Sequence, residues 1–431
     1  MKIKSGQRPR KVLFFPYYWY LHYEPFRRVI ARLNQAGLDA YMVYMPCIPM
    51  DESAQFGLER MRQDECPAKK LSIHNVGLGS SNLLARMLRF IGLVLSRPRI
   101  EQFLRAERPD MIVVGSDLGN SYFRLLLDLC RCLHIQVLIM ATVSSGPSPD
   151  KRPAVPALLR PVLRWFKLEQ ILFEGWVLGS YHREALLAVA GKEMKKQLIR
   201  DGVSQERIFV TGNPTYDLLY EIRQRPASEV KQEICTLLGW PMCCRLIVYC
   251  TERIQEVYGE DYLERLNRLM VPVFDDLPEE CRVIVKLHPR ECPVSSTMFA
   301  TTFSGSRYRV VQDLDVHHLL RVAEVAIGHF SVVLVDAALL GTPLLRINIA
   351  DDRSRMAFGP DVDLLYIYSE TELREKLYGI LYNQEFLDSV KSALSEWSTN
   401  YAVAVDGRSA DRVACLIQSL VESQQCSKST S

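Results

Sequence analysis

The chain has 431 residues, 48% of them hydrophobic and 24% charged, with 53 Lys and Arg against 50 Asp and Glu for a net charge of +3. At roughly 150 residues per domain this is the length of two large or three modest domains, which excludes a single small module. The apolar share excludes a mostly disordered chain, and the near balance of charge excludes wholesale coating of nucleic acid, so no nucleic-acid partner is expected.

Basic residues near the start (Lys2, Lys4, Arg8, Arg10, Lys11) precede only a short apolar stretch, Val12 to Phe15, with no small-residue cleavage site, so no secretory leader is read there. The most apolar window, Val322 to Leu340, carries Glu324, His329 and Asp336, so it falls short of the roughly 18 uninterrupted apolar residues of a membrane span. The twelve cysteines are scattered, several in apolar runs (Cys130, Cys132, Cys235, Cys250), and form no CxxC pair. A cytoplasmic protein with free thiols and no metal is expected.

Short Val, Ile and Leu runs, each followed by a helical pattern, predict parallel strands joined by crossover helices. Lys11 to Phe15 reads as the first strand, Phe26 to Ala36 as its helix, and Ala40 to Tyr44 as the second strand after Gly37. Between the first strand and its helix, Pro16 to Pro25 reads as a loop with five aromatics (Tyr17, Tyr18, Trp19, Tyr20, Tyr23) beside His22 and Glu24. Such a loop either stacks on an acceptor sugar or packs beneath the site. It lacks the GxGxxG of a dinucleotide oxidoreductase.

Two stretches are basic and amphipathic: Leu83 to Arg105, with Arg86, Arg89, Arg97 and Arg99, and Lys151 to Lys167, with Arg152, Arg160, Arg164, Trp165 and Phe166. Each either shields the first sheet or lies on anionic lipid, which is the expected route to peripheral contact with the inner membrane face. Met111 to Gly115 and Gln136 to Met140 are further strands flanking a helix at Tyr122 to Leu133. The run Ile208 to Asp217 ends a short strand on a Gly212-Asn213-Pro214 turn, either a ligand contact or a structural elbow.

After a polar, helix-prone stretch at Ser228 to Leu238, a second set of strands is predicted at Arg245 to Tyr249, Arg282 to Lys286, Tyr308 to Val311, Val325 to Gly328 and Pro343 to Ile347. Helices are predicted at Glu370 to Leu381, Glu385 to Trp397 and Asp406 to Glu422, with a frayed Ser/Gln/Lys tail. The predicted domains are 10–217, on the acceptor side, and 228–385, on the donor side, followed by C-terminal helices at 386–423 that pack back and a tail at 424–431. Both halves are Rossmann-like and doubly wound, and their carboxyl strand ends are expected to face each other across a cleft.

In the second half, Lys286-Leu-His-Pro-Arg290 follows a strand, so Lys286, His288 and Arg290 fall at its carboxyl end. Two cations and an imidazole suit a phosphate, whereas the plain alternative is a strand stopped by Pro289. Gly328 to Pro343 reads as a strand end, a turn and a helix opening at Ser331 and Val332. Its start would attract a pyrophosphate, with Asp336 near ribose hydroxyls, unless it is merely a capped helix.

The sequence Pro109-Asp-Met-Ile-Val-Val-Gly-Ser-Asp117, then Asp201-Gly-Val, Val210-Thr-Gly-Asn213 and Asp217, then Ser331, Asp336-Ala and Leu340-Gly-Thr-Pro343 resembles the GT-B superfamily over roughly 105–385, nearest the UDP-N-acetylglucosamine 2-epimerase branch. The Lys-Leu-His-Pro motif is more similar to that of bacterial sialyl-, capsule- and glycerophosphate transferases of the same fold. The resemblance implies a nucleotide-activated donor and places Asp117 near the sugar. It also departs from the epimerases: their catalytic Glu falls at Ala141, their His-Arg pair is Glu252-Arg253, and their paired Glu is Val335-Asp336.

These losses weigh against epimerisation, which needs acid and base groups to eliminate and re-add the nucleotide. The expected activity is a metal-independent glycosyl transfer in envelope polysaccharide or glycolipid assembly, with a saccharide or lipid-linked acceptor and no cofactor beyond the nucleotide-sugar substrate. Arg253, Lys286, Arg290, Ser331, Val332, Asp336, Gly212 and Asn213 are the expected donor contacts. His288 is the expected acid, and Asp117, Glu24 and His22 are the candidate bases. An epimerase, a CDP-linked phosphotransferase and a catalytically silent nucleotide-sugar binding protein are the alternatives.

Overall fold

The computed structural model describes residues 9–17, 19–46, 59–74, 83–141, 165, 177–289, 291, 293–351 and 362–429; for 19, 20, 83–87, 293 and 424–429 only the backbone path is described. Tyr18, Arg290 and most of the basic stretch 151–167 therefore lie outside the described residues. The chain divides into two compact units, Met1–Asp217 with Tyr401–Ser431, and Leu218–Asn400.

The first unit is built on strands β1 (Lys11–Phe15), β2 (Asp39–Tyr44), β3 (Ala68–Lys70), β4 (Met111–Val114), β5 (Gln136–Met140), β6 (Leu186–Val189) and β7 (Ile208–Val210). They form one sheet in the order β3-β2-β1-β4-β5-β6-β7, and every pairing is parallel. Helices α1 (Trp19–Gln35), α2 (Leu83–Glu107), α3 (Ser121–Cys132) and α4 (Lys192–Arg200) connect them. Parallel strands are covered on both faces, which is why they read as continuous apolar runs. Leu13, Phe15, Ile112 and Val114 point to one core with Leu93, Ile100, Leu104 and Phe123, while Val12, Phe14, Met111 and Val113 point to the other with Phe26, Val29, Ile30 and Leu33.

The aromatic segment is not a loop: α1 opens at Trp19, and Pro25 lies inside it. His22, Tyr23, Phe26, Val29, Ile30 and Leu33 recur every three or four residues and are all buried, so the apolar stripe outweighs the one backbone bond a proline forfeits. Tyr17 and Tyr23 are core residues; the Tyr17 ring lies 5.2 Å from that of Phe123, and the Tyr23 hydroxyl donates to Asp64 at 2.7 Å.

The C-terminal helix, α14 (Ser409–Ser429), belongs to this first unit and continues through most of the segment expected to fray. Its Val413, Ile417 and Val421 join the α1 side of the core, and Arg32 pairs with Asp411 at 2.7 Å.

The second unit carries β8 (Arg245–Cys250), β9 (Cys281–Lys286), β10 (Tyr308–Val311), β11 (Val325–Gly328), β12 (Leu344–Ile347) and β13 (Tyr366–Ile367) in the order β10-β9-β8-β11-β12-β13, again all parallel. Its helices are α5 (Tyr216–Gln224), which begins at the boundary, α6 (Ala227–Leu238), α7 (Gln255–Tyr258), α8 (Glu260–Asp275), α9 (Pro293–Thr302), α10 (Val316–Val322), α11 (Val332–Leu340), α12 (Glu370–Tyr382) and α13 (Gln384–Tyr401). In each sheet the chain runs outward from a central strand and then returns to that strand's other side. The order therefore reverses between β1 and β4 and between β8 and β11, and in such sheets ligands bind at the carboxyl ends of the strands flanking the reversal.

Candidate functional site

In the second unit, the segments leaving β8 and β11 are joined by one buried carboxylate. Glu252 Oε1 accepts the backbone N–H of Ser331 at 2.7 Å and that of His329 at 3.2 Å. Ser331 caps α11, its hydroxyl oxygen accepting the Val333 N–H at 3.3 Å, and α11 ends at Gly341 in the left-handed conformation. Burial pushes the Glu252 carboxyl up to about 7, against the pull of these amides and of the Arg346 charge. Arg346, on β12, is fully buried; its Nε donates to the His329 carbonyl at 3.3 Å and its guanidinium stands 5.4 Å from the Tyr366 ring centre.

His329 is buried, and burial pulls its imidazole down to about 4, so it is neutral. Its Nδ1 lies 3.2 Å from the Ile347 carbonyl, which can only accept, so the proton is on Nδ1. Its Nε2 has no hydrogen-bond partner among the described residues.

The neighbouring strand end places His288. Its backbone N–H donates to Thr251 Oγ1 at 2.9 Å, and that hydroxyl donates onward to Glu291 Oε2 at 3.1 Å. Thr251 thus ties the β8 exit to the β9 exit and holds His288 at the carboxyl edge, where its ring is half-exposed. Lys286 is used locally: its buried ammonium donates to the carbonyls of Leu287 at 3.0 Å and Gln312 at 2.7 Å, and burial lowers its pKa. Arg253 is ion-paired with Glu256.

Asp336 lies in α11 but faces a partner the sequence reading missed. Its Oδ2 is 3.1 Å from His317 Nε2 in α10, and His317 Nδ1 is 3.8 Å from Asp315. Burial alone would lower the His317 pKa, but the bond to Asp336 and the charges of both carboxylates outweigh it and hold it above the usual value.

The first-unit candidates are all engaged. Asp117, fully buried, accepts the N–H groups of Gly179 at 2.8 Å, Tyr181 at 2.9 Å and His182 at 3.0 Å, which fastens the segment before β6. Burial raises its pKa despite these bonds. His22 Nδ1 accepts the Tyr17 N–H at 3.0 Å, its ring stacks on Phe26, and burial takes its pKa down to about 3. Burial alone would raise the Glu24 pKa; bonds from Arg27 and Arg28 at 2.7 to 2.9 Å overcome this and hold it below the ordinary carboxylate range.

Gly212 and Asn213 form the elbow that seats α14. A Cβ on Gly212, whose φ is +87°, would sit 2.6 Å from Ser409 Oγ, and Asn213 Oδ1 accepts the Thr215 N–H at 3.0 Å. Beside them Asp217 accepts the amides of Ser409 and Ala410 at 2.9 and 2.8 Å.

Among the described residues no helix is long and apolar enough to cross a membrane, and no group of three or more His, Cys, Asp or Glu is arranged to hold a metal ion. Within the described part of α2, Leu88, Ile91 and Leu95 are exposed along one side, near Arg99; Trp165 is exposed as well.

No protein-family model and no curated protein sequence matches the chain. Solved structures do. A Listeria monocytogenes protein whose name assigns it to the UDP-N-acetylglucosamine 2-epimerases is 18% identical, covers 96% of this chain and 98% of its own, and superposes with a TM-score of 0.64. The Neisseria meningitidis UDP-GlcNAc 2-epimerase bound to UDP-GlcNAc is 12% identical over 95% and 100% of the two chains, with a TM-score of 0.61. The wall teichoic acid polymerase TagF, solved with CDP-glycerol, is 13% identical over 97% and 90%, with a TM-score of 0.57. Two doubly wound parallel-sheet units of this kind define the GT-B-type fold, shared by epimerases and glycosyltransferases. The chain has that fold.

Proposed function

We propose that the protein is a glycosyltransferase-like enzyme of envelope polysaccharide or glycolipid assembly, with the nucleotide-sugar donor held by the second unit. One observation carries the reading: the Thr251-anchored His288, the backbone amides of the Ser331 turn, held at rest by Glu252, and the buried Arg346 all lie at the carboxyl ends of strands β9 to β12, on either side of the reversal. Donors of this geometry suit a diphosphate, whose negative charge grows as the bond to the sugar breaks. As the sugar–phosphate bond breaks, His288 gives its proton to the departing phosphate, the acceptor oxygen bonds to the sugar, and the acceptor's own proton passes to solvent, from which His288 is reprotonated.

Epimerisation is disfavoured because Ala141 and Glu252 stand where the resemblance puts the epimerases' catalytic glutamate and histidine, so the acid and base that would eliminate and re-add the nucleotide are missing. A CDP-linked phosphotransfer is the second reading, favoured by the Lys286-Leu-His-Pro289 strand end. The exposed Leu88, Ile91 and Leu95 of α2 suit peripheral contact with a membrane that carries a lipid-linked acceptor.

The deciding experiment is a thermal-shift screen against UDP, CMP, CDP, GDP and UDP-N-acetylglucosamine, since a ligand of the native state alone raises the melting temperature. A shift with one nucleotide fixes the donor class, and a shift with CDP alone moves the assignment to phosphotransfer. No shift with any of them overturns the donor reading.

A further inference from the structure

Glu252 stands where an anion would. The amides it accepts, those of His329 and Ser331, lead into the positive end of the α11 helix dipole, and they are the donors a phosphate would use. Behind them lies the Arg346 guanidinium, fully buried and held by the same loop through the His329 carbonyl. A carboxylate and a phosphate oxygen cannot share these donors: both are negative, and Glu252 and Arg346 are buried, so their repulsion is weakly screened.

We propose that Glu252 is the resident anion of this cradle and gives up its negative charge when the donor diphosphate takes its place, so that donor binding is coupled to uptake of a proton. The inference rests on the second unit being the donor site. Neutralising Glu252 does two things at once: it removes the competing charge from the amides, and it leaves the Arg346 charge without its nearby counter-charge, which then draws the diphosphate in. That the carboxyl titrates at about 7 places this exchange in the neutral range.

The groups facing Glu252 and its neighbours come from every element packed there. Arg346 (β12) carries its guanidinium charge, burial lowers the Lys286 (β9) pKa, and burial raises those of Tyr249 and Cys250 (β8), which keeps phenol and thiol neutral across the range. His329 is neutral, because burial holds it at about 4. Asp336 (α11) is bonded to His317 (α10), and Glu291, after β9, is bonded to Thr251 and Gln255. Burial raises the Glu291 pKa and its partners raise that of His317; with His288, the proton donor at the same strand edge, these are the competing sources of pH dependence. The Glu252→Gln variant leaves all three in place and separates them from Glu252.

The test is calorimetric titration of the full chain with UDP-N-acetylglucosamine and with CDP-glycerol, at about pH 6 and about pH 8. Both probes are diphosphate diesters that do not titrate in this range. With the competent fraction set by a group titrating at about 7, affinity should be about tenfold tighter at the lower pH, with a proton taken up on binding at the higher pH. Uptake is read by repeating the titration in buffers of different ionisation enthalpy. Glu252→Gln should bind at the higher pH as tightly as the wild type does at the lower, without proton uptake.

Equal wild-type affinity at both pH values, or a pH slope undiminished in Glu252→Gln, overturns the inference and leaves the donor site standing. Failure of both probes to bind either protein overturns the donor site and the inference with it. If Glu252→Gln does not fold, the same two titrations of Glu252→Ala take its place.

Discussion

A Cβ placed on Gly115 would lie 2.1 Å from Nε2 of His22, closer than any real side-chain contact. Gly115 follows β4 and His22 lies in α1, so the two meet at the order reversal of the first sheet, and the glycine exists to let the imidazole in. Gly115→Ala therefore overpacks a site in which His22 is pinned by the Tyr17 amide and the Phe26 ring. A loss of about 2 kcal/mol in the stability of the first unit is expected from chemical denaturation. The double variant Gly115→Ala/His22→Ala should recover part of that loss, and a double variant no more stable than Gly115→Ala would show that the clash lies elsewhere.

Asp117 illustrates a carboxylate used for structure. Replacing it with Asn keeps its size but removes the charge and one of the acceptors serving Gly179, Tyr181 and His182. Losing charge-assisted bonds at a buried site costs about 1 to 3 kcal/mol. The expected outcome is a lower melting temperature for Asp117→Asn with nucleotide affinity unchanged. A variant that melts like the wild type but no longer turns over would return Asp117 to the role of base.

The fold was legible because its strands are buried on both sides. β1, β5, β10 and β11 fall where the apolar runs Lys11–Phe15, Gln136–Met140, Tyr308–Val311 and Val325–Gly328 put them. The edge strand β3 was not legible: Ala68–Lys70 is exposed along its length and carries no apolar signal. β6 (Leu186–Val189) and the two-residue β13 were not read from the sequence.

The site was legible in position and less so in role. Strand ends are set by hydrophobic pattern, so His288 and Ser331 land at the carboxyl edge as expected. What each carboxylate bonds to depends on contacts between segments far apart in sequence. Glu252 meets Ser331 across 79 positions, and Asp336 meets His317 in a different helix. Composition and spacing carry no trace of such pairings.

His288→Ala should lower turnover by orders of magnitude while leaving the melting temperature near wild type. Its anchor is its backbone N–H, which alanine keeps, so the Thr251 bond survives the substitution. Residual turnover close to wild type, in a steady-state assay with the nucleotide sugar identified by thermal shift, would remove His288 from the chemistry.

Ser331→Ala removes the acceptor that caps α11 through the Val333 amide. Loss of a serine cap costs about 1 kcal/mol of stability, seen as a lower denaturation midpoint. Because the same turn presents its amides to the donor, nucleotide affinity should fall severalfold. An unchanged dissociation constant by calorimetry would place the donor away from this turn.

The His317–Asp336 pair gives the second unit a pH dependence of definite sign. The folded pKa of His317 lies above its ordinary value of 6.5, so the protonated form is the one the fold favours. The stabilisation is fully present below about pH 6.5, where the unfolded chain is protonated too, and it is lost as pH rises through the higher folded value. Asp336→Asn removes the carboxylate charge and leaves a weaker, neutral bond, so burial is opposed by the more distant Asp315 and by little else. Denaturant midpoints measured from about pH 6 to about pH 9 should therefore fall for the wild type, while Asp336→Asn loses that fall. Parallel curves for the two proteins would mean that the proton on His317 contributes nothing to folding, and that the pair is held by packing between α10 and α11.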